Sequence, residues 1–237
     1  MDAVRVWLGW ADGSAAGGDA DRSFTDRAAV LDPEERARAA AFARPGLRNR
    51  YTAAHVMLRQ VLGECLGLDP ALVCFDRDAC PCCGGPHGRP VLAGEQRSLE
   101  FSLSHAGALV AIAVAAAPVG VDVETLPGPG TVADVASALH PAERAEIAAA
   151  ADPAVAFARL WTRKEAYLKG LGTGLGRGLD LDYVGSEQPG PPDWAMADLP
   201  APDGHAVAVA VRQPEPVVAG LTWLTPEAEP ATRHDQD

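Results

Sequence analysis

Apolar positions along this chain recur with two different periods. Val4 to Trp10 has the short β-branched and aromatic run of a strand, and the Gly/Ala/Asp-rich stretch behind it reads as a loop. Asp32, Pro33 and Glu35 then supply an N-cap, a first-turn proline and a capping-box acid, which predict a helix reaching about Ala43. From Asn49 to Leu66 the period becomes helical: Ala54, Met57, Leu58, Val61, Leu62 and Cys65 share one core-facing side. Val73 to Asp76 has strand character, Cys80 to Arg89 is a Gly/Pro/Cys loop, and Leu99 to Leu103 and Leu109 to Ala115 follow as two more strands.

Pro118 to Glu124 alternates strictly. Val119, Val121 and Val123 face one way, while Asp122 and Glu124 face the other, so two carboxylates project from one side of one strand. Helices are predicted at Thr131 to Leu139, at Pro141 to Ala150 and from Asp152 to Lys169, and the glycines between Gly170 and Gly178 end the last of them. Strands follow at His205 to Val211 and Gly220 to Leu224. The order, a long helix followed by β segments, occurs twice. It suggests an α+β fold of two similar halves, residues 1–117 and 118–226, with 227–237 a polar, proline-containing disordered tail.

Composition narrows the classes of function. A formal charge of -12 argues against nucleic acid or an anionic membrane as partner, so any anionic ligand must meet a local basic patch. The N-terminus lacks the basic lead-in of a secretory signal, and the uncharged stretch from Ser102 to Val121 is broken by His105, Pro118 and Gly120; a cytoplasmic protein without membrane spans is expected. Five cysteines, four of them within ten residues, fit a reducing compartment better than a disulfide framework. Only two lysines occur, Lys164 and Lys169, close together on one helix of a chain that otherwise uses arginine. A compact ammonium is not interchangeable with a guanidinium fork, so the placement suggests a need for Lys there.

Trp161, Glu165 and Lys169 stand at i, i+4 and i+8 on one helical stripe, whereas Lys164 is rotated about 100° from Glu165 and points elsewhere. By itself such a stripe is usually a solvated ion pair. Beside the Asp122 and Glu124 strand face, Glu165 becomes a third carboxylate for an oxygen-rich Mg²⁺ site, which in turn implies a phosphate ester or anhydride as substrate.

Gly120-Val121-Asp122-Val123-Glu124, with Trp161-Thr162-Arg163-Lys164-Glu165-Ala166-Tyr167-Leu168-Lys169 about forty residues later, resembles the paired signatures of phosphopantetheinyl transferases. Phe101-Ser102-Leu103-Ser104-His105 resembles the family's Phe-Asn-x-Ser-His segment, with Ser102 replacing Asn, and Gly88-Arg89-Pro90 its Gly-Lys/Arg-Pro. The resemblance spans roughly Asp32 to Gly178. It is to the monomeric surfactin-synthetase-activating (Sfp) type, a pseudo-dimer of two α+β halves.

What the resemblance implies is transfer of 4'-phosphopantetheine from coenzyme A to a serine of an acyl- or peptidyl-carrier protein, releasing adenosine 3',5'-bisphosphate. It implies Asp122, Glu124 and Glu165 as ligands of Mg²⁺, with Mn²⁺ as a substitute. Lys169 and His105 would contact the pyrophosphate, and Ser104 and Arg89 the 3'-phosphate. Arg44, Arg48 and Arg50 stand where the family places further basic contacts, and Glu143 resembles a carboxylate proposed to help deprotonate the serine. Trp161 is expected to pack and orient its helix.

Two other readings are open. An Asp-x-Glu strand with a nearby Glu and Lys also suits a magnesium-dependent nuclease or phosphohydrolase. Cys80 and Cys83, with Cys74 and His87, could ligate a structural Zn²⁺ and make the chain a non-enzymatic zinc-binding interaction module. No second C-x-x-C accompanies them, and a reduced loop packed beside the nucleotide site is the favoured reading.

Overall fold

The computed structural model describes residues 4–12, 24–86, 88–214 and 219–225. The loop expected just after Trp10 falls partly outside these residues, and His87 and the tail expected at 227–237 lie outside them. Five α-helices and nine strands are described: β1 (Val4–Trp10), α1 (Pro33–Ala40), α2 (Pro45–Leu66), β2 (Phe75–Arg77), β3 (Pro90–Leu92), β4 (Glu100–Ala106), β5 (Leu109–Ala115), β6 (Val119–Thr125), α3 (Pro129–Ala136), α4 (Pro141–Ala149), α5 (Pro153–Leu171), β7 (Ala195–Leu199), β8 (His205–Val211) and β9 (Ala219–Leu224).

The strands form a four-stranded sheet ordered β4-β5-β1-β9, a three-stranded sheet ordered β6-β8-β7, and a small β2-β3 ribbon. The two larger sheets repeat one plan. In the first, β1 pairs antiparallel with β5 and β5 with β4; in the second, β6 pairs antiparallel with β8 and β8 with β7. The long helix between the first and second strands of each unit is α2 in one and α5 in the other. The chain is thus an α+β fold of two similar halves. β9 departs from the repeat, returning from the second half to pair parallel with β1 at the edge of the first sheet.

Side-chain alternation explains the stacking. Trp7, Val110, Ile112, Val114 and Phe101 turn one face of the first sheet toward Val56, Met57, Val61 and Leu62 of α2. The opposite face, with Val4, Val6, Leu8, Ala111 and Ala113, meets Val119, Val121 and Val123 of β6 and Val207, Val209 and Val211 of β8. Two sheets packed face to face, each covered outside by a helix, leave almost no exposed face on the central strands.

On the outer face of the second sheet the residues are small. β8 alternates Ala and Val, and the register sets Gly120, Asp122 and Glu124 of β6 beside Ala210, Ala208 and Ala206. The missing bulk lets α5 descend onto β6 until backbones touch: a Cβ on Gly120 would overlap the carbonyl oxygen of Ala166 and lie 2.6 Å from the Gly170 nitrogen. The valines on the other side of β6 and β8 bind the sheet-to-sheet core, and the small residues admit the helix.

The capping box of α1 is present, with Asp32 accepting from the Glu35 N–H and Glu35 from the Asp32 N–H. Both acids also hold Arg59, fully buried in α2, at 2.7 and 2.6 Å, and the same guanidinium donates to the carbonyls of Pro70 and Val73. Helix α2 starts at Pro45, four residues before the expected Asn49, because Pro45 fits the first helical turn without needing its missing N–H. The strand expected at Val73 begins instead at Phe75. Strands β3 and β7 were not anticipated: one has three residues, and the other, Ala-Met-Ala-Asp-Leu, carries weak β propensity.

Gly120→Ala should therefore cost ~1–3 kcal/mol or more through overpacking of backbone against backbone. Gly130→Ala, on α3 with nothing within 4 Å of the added carbon, should be neutral or slightly stabilising. Urea unfolding of the two variants checks this, and equal stabilities would remove the contact from the account.

Candidate active site

The descent of α5 onto β6 brings the signature residues together. Asp122, 2% exposed, points from β6 toward the helix. Its Oδ1 accepts from Lys169 Nζ at 2.6 Å and from Ser104 Oγ at 2.8 Å, and Lys169 also donates to Ser104 Oγ at 2.8 Å. Three elements, β4, β6 and α5, meet in this triangle. Ser102, one pleat along β4 from Ser104, accepts the Val121 N–H at 3.0 Å, so hydroxyls rather than a backbone ladder join these two strands.

Asp122 Oδ2 is buried and has no hydrogen-bond partner. Glu124 and Glu165 stand half-buried on the same side, and the Trp161 side chain hydrogen-bonds Glu124. All three carboxyls are pushed above their usual range. Desolvation is the largest cause for each; the Asp122 charge further raises Glu124 and Glu165, while Lys169 opposes the rise at all three. When ionised the cluster carries three negative charges against one lysine. That excess, an all-oxygen donor set and an orphaned buried carboxylate oxygen suit a hard divalent cation. With the side chains as they stand, no three His, Cys, Asp or Glu among the described residues are gathered closely enough to hold a metal ion. Lys169 occupies the Asp122 oxygen that would otherwise turn toward one.

The basic residues are spread more widely. His105 is exposed at the end of β4, and its pKa is pushed down by desolvation, Lys169 and Arg50, which places those two cations within electrostatic reach. Arg44 and Arg48 are exposed at the start of α2, where Arg48 donates to the Phe42 carbonyl. No contact among the described residues ties them to the carboxylates. Arg89 is gripped by Asp78 at 3.3 Å and Glu100 at 2.9 Å, leaving its Nη1 buried and unpaired. It lines a cavity of about 560 Å³ together with Lys169, Phe101 and Ser102.

Two expected roles do not fit these positions. Ser104 was expected at a 3'-phosphate, but it is buried with its hydroxyl committed to Asp122 and Lys169; its place is in the carboxylate site. Glu143 was expected near the acceptor serine, yet it has no exposed surface. Its Oε1 accepts from Val184 N at 2.8 Å and pairs with Lys164 Nζ at 2.9 Å, and its Oε2 accepts from His140 N at 3.1 Å. A carboxylate with both oxygens engaged and no path to solvent cannot take a proton from a docked hydroxyl. Lys164 does point away from the site, as its rotation on the helix implies, and this buried pair is where it goes.

The zinc reading finds little geometry. His87 lies outside the described residues, and Cys74 is exposed just before β2 with its thiol donating to the Leu72 carbonyl. The residues that sequence reasoning missed are Asp78 and Glu100, which fix Arg89, while Trp161, already placed on the stripe, proves to hydrogen-bond Glu124. Nothing in the spacing of Asp78 and Glu100 marks them as partners of Arg89, because the pairing is made by the fold and follows no helical or strand period.

Residues 118–205 match the 4'-phosphopantetheinyl transferase superfamily, and residues 19–117 match the 4'-phosphopantetheinyl transferase N-terminal family. The 4'-phosphopantetheinyl transferase HetI of Nostoc is 32% identical over 86% of this chain and 84% of its own length. A Bacillus subtilis 4'-phosphopantetheinyl transferase is 25% identical over 85% and 83%, respectively. A phosphopantetheinyl transferase of Thraustochytrium is 30% identical over 89% of this chain and 79% of its own length. The nuclease and zinc-module alternatives find no support in these matches. No helix among the described residues is long and apolar enough to cross a membrane.

Two outcomes are expected. Glu143→Gln leaves Lys164 buried without its counter-charge, which should cost ~3–5 kcal/mol of stability. Turnover per folded molecule should fall far less than the ~10²–10⁴-fold loss that follows removal of a general base. Thermal unfolding read alongside active-fraction kinetics separates the two effects.

The second concerns pH. Carboxyls that bind protons more tightly folded than unfolded favour the fold below their ordinary pKa, 4.5 for Glu165, and that contribution is lost as pH rises through the raised folded value. Glu165→Gln should therefore raise the Tm of metal-free protein near neutral pH, with the gain fading as pH falls below 4.5. Added Mg²⁺ should raise the wild-type Tm near neutral pH and raise that of the variant less. Scanning fluorimetry across pH measures both.

Proposed function

The chain belongs to the 4'-phosphopantetheinyl transferase superfamily, and from that membership we propose how its own residues carry the reaction. The protein is an enzyme that transfers 4'-phosphopantetheine from coenzyme A to a carrier protein. The finer reading is that Asp122, Glu124 and Glu165 hold Mg²⁺, that the acceptor is a serine of an acyl- or peptidyl-carrier domain, and that adenosine 3',5'-bisphosphate leaves. The observation that carries it is the two-charge deficit around Asp122, with an orphaned buried oxygen beside the family's lysine.

Bound there, the dication neutralises charge on the donor's pyrophosphate oxygens. Asp122 is fixed for this task by Ser104 and Lys169, and Glu124 by Trp161. With Asp122, Glu124 and Glu165 turned toward such a cation, the Lys169 ammonium, which bonds Asp122 Oδ1 at 2.6 Å, would be free to donate to a phosphate oxygen. His105, whose pKa is pushed down by desolvation and by the neighbouring Lys169 and Arg50, offers a ring nitrogen to the pyrophosphate. Arg89, with Asp78 and Glu100 holding Nε and Nη2, presents Nη1 to the 3'-phosphate. Arg50, and more distantly Arg44 and Arg48, raise the local potential for a polyanion on a chain that is acidic overall. With Glu143 sealed in the core, the hydroxyl proton must leave through a residue of the open carboxylate cluster or through water. Of the carboxylates described at the site, Glu165 is half-buried, raised in pKa and on the same helix stripe as Lys169, and we assign it the nearest role.

Incubation with coenzyme A, Mg²⁺ and an apo-carrier protein should add one phosphopantetheine to the carrier, read by intact mass. Chelator should stop the reaction, and Mg²⁺ or Mn²⁺ should restore it. Lys169→Arg keeps the charge but sets a planar fork where an ammonium sits 2.6 Å from Asp122; a loss of ~10²-fold or more in kcat is expected, the scale of one lost transition-state contact. Transfer that persists in chelator would overturn the metal assignment, and wild-type rates in Lys169→Arg would show that charge alone is needed there.

A further inference from the structure

The loop between β2 and β3 carries three cysteines that the transfer reaction does not use. Cys80-Pro81-Cys82-Cys83-Gly84 folds into a tight turn closed by Gly84 N–H to Cys80 O at 2.7 Å and Cys80 N–H to Gly85 O at 2.8 Å. Inside it the Cys80 sulfur accepts the backbone N–H groups of Cys82 and Cys83 and lies in hydrogen-bond contact with both their thiols. Cys80 is buried, Cys82 and Cys83 are exposed, and none is in a disulfide. All three line the cavity that also contains Arg89, Phe101 and Lys169.

We infer that Cys80 and Cys83 form a redox-active dithiol, a modification site that exchanges with low-molecular-weight disulfides and, once oxidised, reshapes the wall of the coenzyme A cavity. Its link to coenzyme A rests on the functional reading above; the dithiol itself does not.

The chemistry follows from position. Cys83 is open to solvent, so it meets the reagent first. It loses its proton to water and attacks one sulfur of a disulfide such as oxidised glutathione; the S–S bond breaks and one thiolate leaves. Cys80, whose pKa is pushed below the usual 9.0 chiefly by the two backbone N–H donors, then attacks Cys83 Sγ and displaces the second thiolate. Two protein thiols become one disulfide, and the reagent is reduced to two thiols. The i, i+3 spacing across a closed turn suits the separation a disulfide requires, whereas Cys82 turns its sulfur toward Gly176 on the other side of the cavity. Bonding replaces the Cys80–Cys83 hydrogen-bond contact with a covalent S–S bond, which shifts the 80–84 turn in the cavity wall that Arg89 also lines.

The test uses the full chain. After treatment with oxidised glutathione, free thiols are alkylated and the tryptic peptide 78–97, which contains only these three cysteines, is weighed. Wild type should show one alkylated cysteine and an internal disulfide, Cys82→Ser the disulfide with no alkylation, and Cys83→Ser no internal disulfide. Oxidation should raise the KM for coenzyme A several-fold in wild type and Cys82→Ser, reversibly with dithiothreitol, and leave Cys83→Ser unchanged. Three alkylated cysteines in oxidised wild type, or a disulfide that survives Cys83→Ser, overturns the dithiol. An internal disulfide with an unchanged KM overturns its action on the cavity. Reduced protein that transfers nothing would instead strike the functional reading, with the peptide result standing independently.

Discussion

Everything at the active site depends on how close α5 comes to β6. Side chains of ordinary size hold packed layers well apart, about 10 Å for two stacked sheets. Here Gly120 has no Cβ, and Ala206, Ala208 and Ala210 line the neighbouring strand, so the helix backbone rests on the strand itself. At that distance a lysine on the helix reaches an aspartate on the strand at 2.6 Å and a serine on β4 of the other sheet. The glycine in the signature is therefore a spacer of zero thickness between two elements that must share a few ångströms.

That geometry gathers like charges, which is costly in the absence of a compensating ion. Desolvation raises all three carboxyls, and repulsion from Asp122 raises Glu124 and Glu165 further. The surrounding structure tolerates the arrangement because the valine faces of β6 and β8 are packed against the first sheet and because α5 is fastened at points away from the site. Lys164 and Glu143 tie it to α4 and to Val184, and Arg163 clamps both oxygens of Asp198 on β7. Stability is taken from around the site and spent within it.

Much of this was legible in the chain. Strict alternation in β6 gave the two-carboxylate face, and the i, i+4, i+8 stripe gave Trp161, Glu165 and Lys169; both depend only on local periods. Helix α1 was announced by its capping box. The partners of Ser104 and Glu143 were not legible for one reason: a serine after a strand and a glutamate in a helix's first turn look the same in sequence whether they face solvent or core. Their partners, Asp122 and Lys169 for one and Lys164 and Val184 for the other, are tertiary neighbours tens of residues away. Strand β7 escaped because its alternation is shallow, and it exists by pairing with β8, not by propensity.

The parallel pairing of β9 with β1 has a bearing on how the protein is made. Val4 lies opposite Ala219, so β1 waits for a strand made much later to complete its sheet. The N-terminal half can collapse around α2 early, but one edge of β1 stays open, a row of unpaired backbone groups, until some two hundred residues more have been synthesised. During that interval the nascent chain offers a template for strand addition by any neighbour. A slow translation step or a crowded polysome should expose it most, and the closing strand acts as the latch that ends the exposure.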